Sequence, residues 1–117
     1  MSPLTITTRD ADTGPVLAII GDLDHATAPE LRASMDGLPF AAGQLLVLDL
    51  AGLDFCDSSG ISALLSARSW AIAHGGGIAL AAVPATTARI LGIVGLDQVF
   101  TIHPDAATAT AGRSVAS

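Results

Sequence analysis

The stretch from Leu45 to Gly60, LLVLDLAGLDFCDSSG, constrains the fold more than any other part of the chain. Its first half, Leu45 to Leu50, is a short apolar run with no polar alternation. That pattern suits a strand buried on both faces, which needs cover on each side of its sheet. Its second half, Asp57-Ser58-Ser59-Gly60, is small, polar and turn-like, and an apolar helix periodicity begins at once. Asp and Ser are favoured helix N-caps because their oxygens accept the orphan N–H groups of the first turn. The junction therefore sets two hydroxyls and a carboxylate at a helix start, where unpaired N–H donors and the helix dipole favour anions.

On either side of this stretch the chain alternates strands and helices. Leu4 to Thr8 alternates apolar and polar residues, Asp12-Thr13-Gly14-Pro15 is a turn signal, and Val16 to Ile20 is a second strand, which together predict an antiparallel hairpin. Gly21-Asp22-Leu23-Asp24 ends it. Thr27 is placed to cap a helix running to about Gly37, with Pro29 in the first turn, Glu30 at the capping-box spacing, and Leu31 and Met35 buried. The helix after the Asp57-Gly60 turn runs to about His74. At about 100° per residue it carries Ile61, Leu64, Leu65 and Ile72 on one side and Ser59, Ser62, Ser66 and Ser69 on the other, with Trp70 beside the serines. Arg68 is expected to snorkel at the edge of the buried side. Gly75-Gly76-Gly77 stops the helix. Ile78 to Val83 is a further strand. A helix capped by Thr86 or Thr87 turns Ile90, Leu91 and Val94 inward and closes at Gly95. Val99 to Ile102 is a last strand, Asp105 to Ala111 a last helix, and Gly112 to Ser117 a disordered end.

The order ββαβαβαβα predicts an α/β fold, a mixed and mostly parallel β-sheet with crossover helices. One domain over residues 1–117, with an ordered core of about 4–111, accounts for the length. Ligands of such sheets meet the carboxyl ends of the strands, where the Asp22–Asp24 and Asp57–Gly60 turns are expected side by side. With aromatics at 3%, the core should be aliphatic, with Phe40, Phe55 and Phe100 as its few large rings. A net charge of -6 with five Lys plus Arg leaves no basic patch for nucleic acid. No apolar run is long enough to span a bilayer, and the start has no signal-peptide pattern, so no membrane partner is expected. The single Cys56 excludes an internal disulfide and indicates a reducing, cytoplasmic compartment.

The residues do not support an enzyme. A hydrolase nucleophile at Ser58 needs a G-x-S-x-G elbow and a positioned His, but the motif reads Cys-Asp-Ser-Ser-Gly and His25, His74 and His103 are scattered. An aspartyl-phosphate site at Asp57 needs an acidic pair and a Lys, and the chain has no lysine. The three His and one Cys lack metal-ligand spacing, so neither metal nor cofactor is expected. Cys56 has no basic neighbour to activate it and reads as a buried inert thiol.

Taken together, Gly21-Asp22-Leu23-Asp24-His25, Leu48-Asp49-Leu50, Phe55-Cys56-Asp57-Ser58-Ser59-Gly60, Gly75-Gly76 and Ile90-Leu91 through Gly95-Leu96-Asp97-Gln98-Val99-Phe100 resemble the STAS domain of anti-sigma factor antagonists, over roughly Leu4 to Ala111. The resemblance implies a STAS fold and a cytoplasmic switch protein, not an enzyme. Unphosphorylated, it would bind an anti-sigma factor serine kinase and so release a sigma factor. Phosphorylation by the kinase ends binding, and a PP2C-like phosphatase resets it. By position, Ser58 is the phosphoacceptor, framed by Asp57, Ser59 and Gly60, with Asp24 as the neighbouring acid. The serine stripe adds Ser62, Ser66 and Trp70 as expected partner contacts. Many relatives carry basic residues on this helix where the chain has Trp70 and few Arg. The competing reading is a STAS-type ligand-binding or transport-accessory module without phosphorylation.

Overall fold

In the computed structural model, which describes residues 3–111, the hairpin forms as expected. Strands β1 (Thr5–Ala11) and β2 (Gly14–Leu23) pair antiparallel, Thr5 opposite Ile20 and Ala11 opposite Gly14. Helix α1 (Ala28–Asp36) leads to β3 (Leu45–Asp49), which lies parallel to β2 on one side and to β5 (Gly77–Ala81) on the other. Strand β6 (Thr101–His103) closes the far edge, giving the order β1-β2-β3-β5-β6. With α1, the crossovers are α2 (Ser58–Ala73) and α3 (Ala85–Ile93), and a short α4 (Ala106–Ala111) follows β6.

The observed order departs from ββαβαβαβα by one strand. Strand β4 (Leu53–Cys56) lies between β3 and α2, and a 3-10 turn, Leu96–Gln98, lies between α3 and β6. At Leu50-Ala51-Gly52 the chain steps off the β3 line: Asp49 Oδ1 accepts the Ala51 N–H, and Gly21 N–H donates to Gly52 O. Strand β4 then pairs only with the upper end of β2, Asp22 opposite Phe55 and Leu23 opposite Cys56. This step carries the start of α2 across to the end of β2.

The main core is aliphatic. Leu17, Ile19 and Leu23 of β2 and Leu46 and Leu48 of β3 meet Leu31 and Met35 of α1, Leu64 of α2 and Leu91 of α3. On the other face, Ala106 and Ala109 of α4 cover Val16, Val47 and Ala81. Several side chains depart from the sequence expectation. Phe55 is 53% exposed and Phe40 half-buried, so Phe100 is the one buried ring of the three. Ile72 and Val94 are 50% and 56% exposed. Helix α2 instead buries Gly60, Ile61, Ala63, Leu64, Ala67 and Ala71, a face of mostly small residues that lets it lie close to the sheet. The caps differ too. Pro84 holds the N-cap position of α3, and Thr87 is buried. The last strand starts at Thr101, after Val99 and Phe100. Helix α2 ends as expected, with Gly75 in the left-handed region at φ +83° and its neighbour Gly76 N–H returned to Ala71 O. The expected disordered end at 112–117 lies outside the described residues. Among the described residues no helix is long and apolar enough to cross a membrane.

Candidate functional site

The site forms where β2 and β4 end together. Because β4 runs parallel to β2 up to Leu23 and Cys56, the Asp22–Asp24 and Asp57–Gly60 turns stand side by side, as the sequence suggested. They are joined directly: Asp57 N–H donates to Leu23 O at 3.3 Å. Gly60, the third residue of α2, presses on the same carbonyl. A Cβ there would lie 2.3 Å from Leu23 O and 2.6 Å from Cys56 Sγ, closer than side chains tolerate. The motif's glycine is thus required by close approach to β2.

Asp57 is the N-cap of α2. Its Oδ1 accepts the Gly60 N–H at 2.9 Å, which meets one of the orphan donors of the first turn. Both serines are therefore released from that task. Ser58 is exposed at the first helical position, and its hydroxyl makes no hydrogen bond among the described residues. Ser59 is half-buried and Gly60 buried. The hydroxyl of Ser58 thus faces solvent at a helix start, where added negative charge is favoured.

Asp24 organises the neighbouring turn. Its Oδ1 accepts the N–H groups of Ala26 and Thr27 at 3.0 and 3.1 Å and lies 3.2 Å from the Thr27 hydroxyl oxygen. Thr27 is the N-cap residue of α1, but the expected capping box does not form. Its hydroxyl instead donates to Asp22 O at 2.7 Å and accepts the Asp24 N–H. The sequence could not rank these bonds, because Thr27 is within reach of both its own helix and the turn before it. Asp22 is also engaged.

Between the starts of α1 and α2 lies a cleft of about 300 Å³, lined by His25, Ala28, Pro29, Arg32, Ser59 and Ser62. The reading of the residues missed His25 and Arg32 here. Their signal was faint: two residues spaced seven apart, about two helical turns, on a segment whose packing against α2 the sequence did not show. A larger hollow of about 560 Å³ lies at the other end of β2, between the β1–β2 turn and the end of α4, and contains no motif residue.

Ser62 and Ser69 are exposed and Ser66 half-buried along the open side of α2, with Ser66 Oγ donating to Ser62 O. Trp70 stands elsewhere. It is half-buried against the core, its ring 5.1 Å from Phe40 and 4.4 Å from His74. Twelve residues along α2 set it about 18 Å from Ser58. Cys56 is buried. Desolvation, reinforced by the adjacent Asp57 charge, pushes its thiol up to about 11, so it is inert at neutral pH.

Residues 6–103 match the family described as "Mlab, STAS domain". The chain is 31% identical over 116 residues to the anti-sigma-F factor antagonist RsfB of Mycobacterium tuberculosis, covering 96% of this chain and 93% of that one. Its fold is similar to an anti-sigma factor antagonist from Mycobacterium paratuberculosis, with a TM-score of 0.78 and 26% identity over 94% of this chain and 93% of that one. It shares the fold alone with a sulfate transporter family protein from Wolinella succinogenes, with a TM-score of 0.70 and 16% identity over 86% and 84% of the two chains. With a motif turn of this form, a fold of this topology and relatives matched nearly end to end, the chain belongs to the STAS domain family, on its anti-sigma factor antagonist side, whose members are regulatory binding proteins rather than enzymes.

Proposed function

We infer that this protein is a cytoplasmic anti-sigma factor antagonist switched by phosphorylation of Ser58. Unphosphorylated, it binds an anti-sigma factor with serine-kinase activity and so frees a sigma factor. The kinase transfers the γ-phosphoryl group of ATP to Ser58 Oγ, ADP leaves, and the hydroxyl proton passes to a base of the kinase. A PP2C-like phosphatase hydrolyses the phosphoserine and restores binding. The observation that carries this reading is the division of labour in the motif. Asp57 caps α2 and Gly60 seats it on β2, which leaves the exposed Ser58 hydroxyl with no structural duty. The interface comprises Asp24, Asp57, Ser59, Gly60, Ser62 and Ser66 around Ser58, with the outer rim of Trp70 at its far edge.

The transport-accessory reading draws on the fold shared with a sulfate transporter family protein. An apolar pocket beside Ser58 would favour it. The cleft present there is lined by His25, Arg32, Ser59 and Ser62 with the small Ala28 and Pro29, and has no Leu or Ile, which favours the switch.

Intact-mass measurement after incubation with an anti-sigma kinase and ATP tests the proposal. One phosphoryl group is expected on the wild type and none on Ser58→Ala, which should remain folded and bind the kinase. Phosphate mapped to Ser59, or a Ser58→Ala protein still modified, would overturn the assignment.

A further inference from the structure

The cleft between α1 and α2 has a charge opposite to that of its surroundings. The chain holds eleven Asp plus Glu against five Lys plus Arg, yet no carboxylate lines this cleft, and Arg32 and His25 do. Arg32 makes no ion pair or hydrogen bond among the described residues. The acids of the two adjoining turns are occupied. Asp24 holds the N–H groups of Ala26 and Thr27, Asp57 holds that of Gly60, and Asp22 is engaged as well. A guanidinium is thus left unpaired in a chain where carboxylates outnumber it, beside turns in which Asp24 and Asp57 already serve backbone N–H groups.

Ser58 lies next to this cleft. At about 100° per residue, Ser58, Ser62 and Ser59 stand at roughly 0°, 40° and 100° round α2. The two serines that wall the cleft are therefore the next side chains round the helix from Ser58. Residues four apart on a helix have Cβ atoms about 5–6 Å from one another, so a group carried on Ser58 Oγ can turn over Ser62 into the cleft. The fork of an Arg matches the oxygens of a phosphate, and hydroxyl and imidazole groups can complete the donors.

Resting on the reading of Ser58 as phosphoacceptor, we propose that this cleft holds the phosphate of phosphorylated Ser58 within the same molecule, with Arg32 as its main partner and His25, Ser59 and Ser62 as further donors. The phosphorylated state is then a defined conformer. The phosphate lies across the α1–α2 cleft, part-neutralised, and closes to a binding partner the surface that is open when Ser58 is free.

The test installs phosphoserine at position 58 during synthesis, by genetic-code expansion, so that no kinase is involved. The second ionisation of the phosphate is followed by ³¹P NMR titration in the wild-type background and in Arg32→Gln. Phosphoserine ordinarily titrates near about 6. Arg32 and His25 face it from α1 and its preceding turn, and Asp57 and Asp24 stand on the acidic side. Arg32→Gln removes the guanidinium and leaves the His25 side chain in place. The midpoint is expected about half a unit or more lower in wild type than in Arg32→Gln, with Arg32→Lys between them. Arg89→Gln on α3 should leave it unchanged. Thermal melts of the unphosphorylated Arg32→Gln protein should match wild type, as they would not if Arg32 were only a structural residue. Equal midpoints in wild type and Arg32→Gln would overturn the proposal. So would an Arg32→Gln protein with an unshifted phosphate that, unphosphorylated, binds its anti-sigma factor more weakly, since the cleft would then receive a carboxylate of the partner. Failure of any kinase to modify Ser58 would count against the proposed function and leave the titration result standing.

Discussion

Replacing Gly60 with Ala reports on the seating of α2 through the sign of its effect. In an unencumbered helix, Gly→Ala is stabilising by up to about 1 kcal/mol. At Gly60 the added Cβ would sit 2.3 Å from Leu23 O, where ordinary contact begins at 3.4 Å, so the start of α2 must retreat by 3.4 − 2.3 = 1.1 Å. The carbonyl is fixed in the β2–β4 ladder and cannot give way as a flexible side chain could. Retreat stretches the Asp57 N–H···Leu23 O bond, already 3.3 Å, and loosens the packing of Cys56 and Ile61. Overpacking of this kind costs about 1–3 kcal/mol and a weakened hydrogen bond about 1 more, against the propensity gain of about 1. The net expectation is a loss of about 1–3 kcal/mol, a fall in melting temperature of roughly 4–12 °C for a domain of this size. Urea unfolding at constant m-value, with calorimetry, measures it. Gly92→Ala in α3 is the control. Its nearest neighbour would be Asp97 Oδ2 at 3.8 Å, so it should gain a few tenths to about 1 kcal/mol. If Gly60→Ala were as stabilising as Gly92→Ala, the contact with β2 would not exist and the account of the motif's glycine would fall.

Asp57→Ala removes the cap of α2 and should lose about 1 kcal/mol in urea unfolding, whereas Asp57→Asn should keep most of it; equal losses would mean that the charge, not the cap, matters. Cys56, with its thiol near 11, should resist iodoacetamide at pH 8 in the native protein and react readily in denaturant; fast native labelling would contradict its burial. Trp70→Ala removes a ring packed on Phe40 and His74 and should destabilise by about 2 kcal/mol, seen as a lower melting temperature; unchanged melting with lost partner affinity would make Trp70 an interface residue alone.

The parts of this fold that could be read in the sequence are those where burial leaves a period. The alternating β1, the Asp12-Thr13-Gly14-Pro15 turn, the two-sided β3 and the Leu31 and Met35 face of α1 all follow from it. Strand β4 left none. It has four residues, is held on one side only, and exposes Asp54 and Phe55, so its sequence carries neither an alternation nor an apolar run. Helix α2 misled for a different reason. A hydropathy pattern favours the largest apolar side chains, which put Ile72 inside. A helix that must approach a carbonyl at Gly60 selects the smallest, which puts Ala63, Ala67 and Ala71 there. The motif turn was legible as a helix start, but not which oxygen would cap it. That depended on β4 delivering Asp57 beside Leu23 O, a consequence of strand pairing between segments some thirty residues apart.

The same pairing explains how a single modification could act without refolding the protein. The start of α2 is fixed by Asp57 Oδ1 on Gly60 N–H, by Asp57 N–H on Leu23 O and by the contact of Gly60 with that carbonyl. None of these involves Ser58. Phosphorylation there adds about -1.5 to -2 charges, and the first turn of a helix accepts negative charge, so the fastening is kept. A partner that covered a phosphorylated Ser58 would meet the charge differently, because it would have to strip water from the phosphate and draw it away from Arg32, beside the carboxylates of Asp57 and Asp24. Burying a dianion that is only part-neutralised costs several kcal/mol, whereas a complex of micromolar strength is held by only about 8. Under the proposed switch such a partner would be released. The cost falls almost entirely on the complex, because the Ser58 side chain takes no part in holding the free protein together.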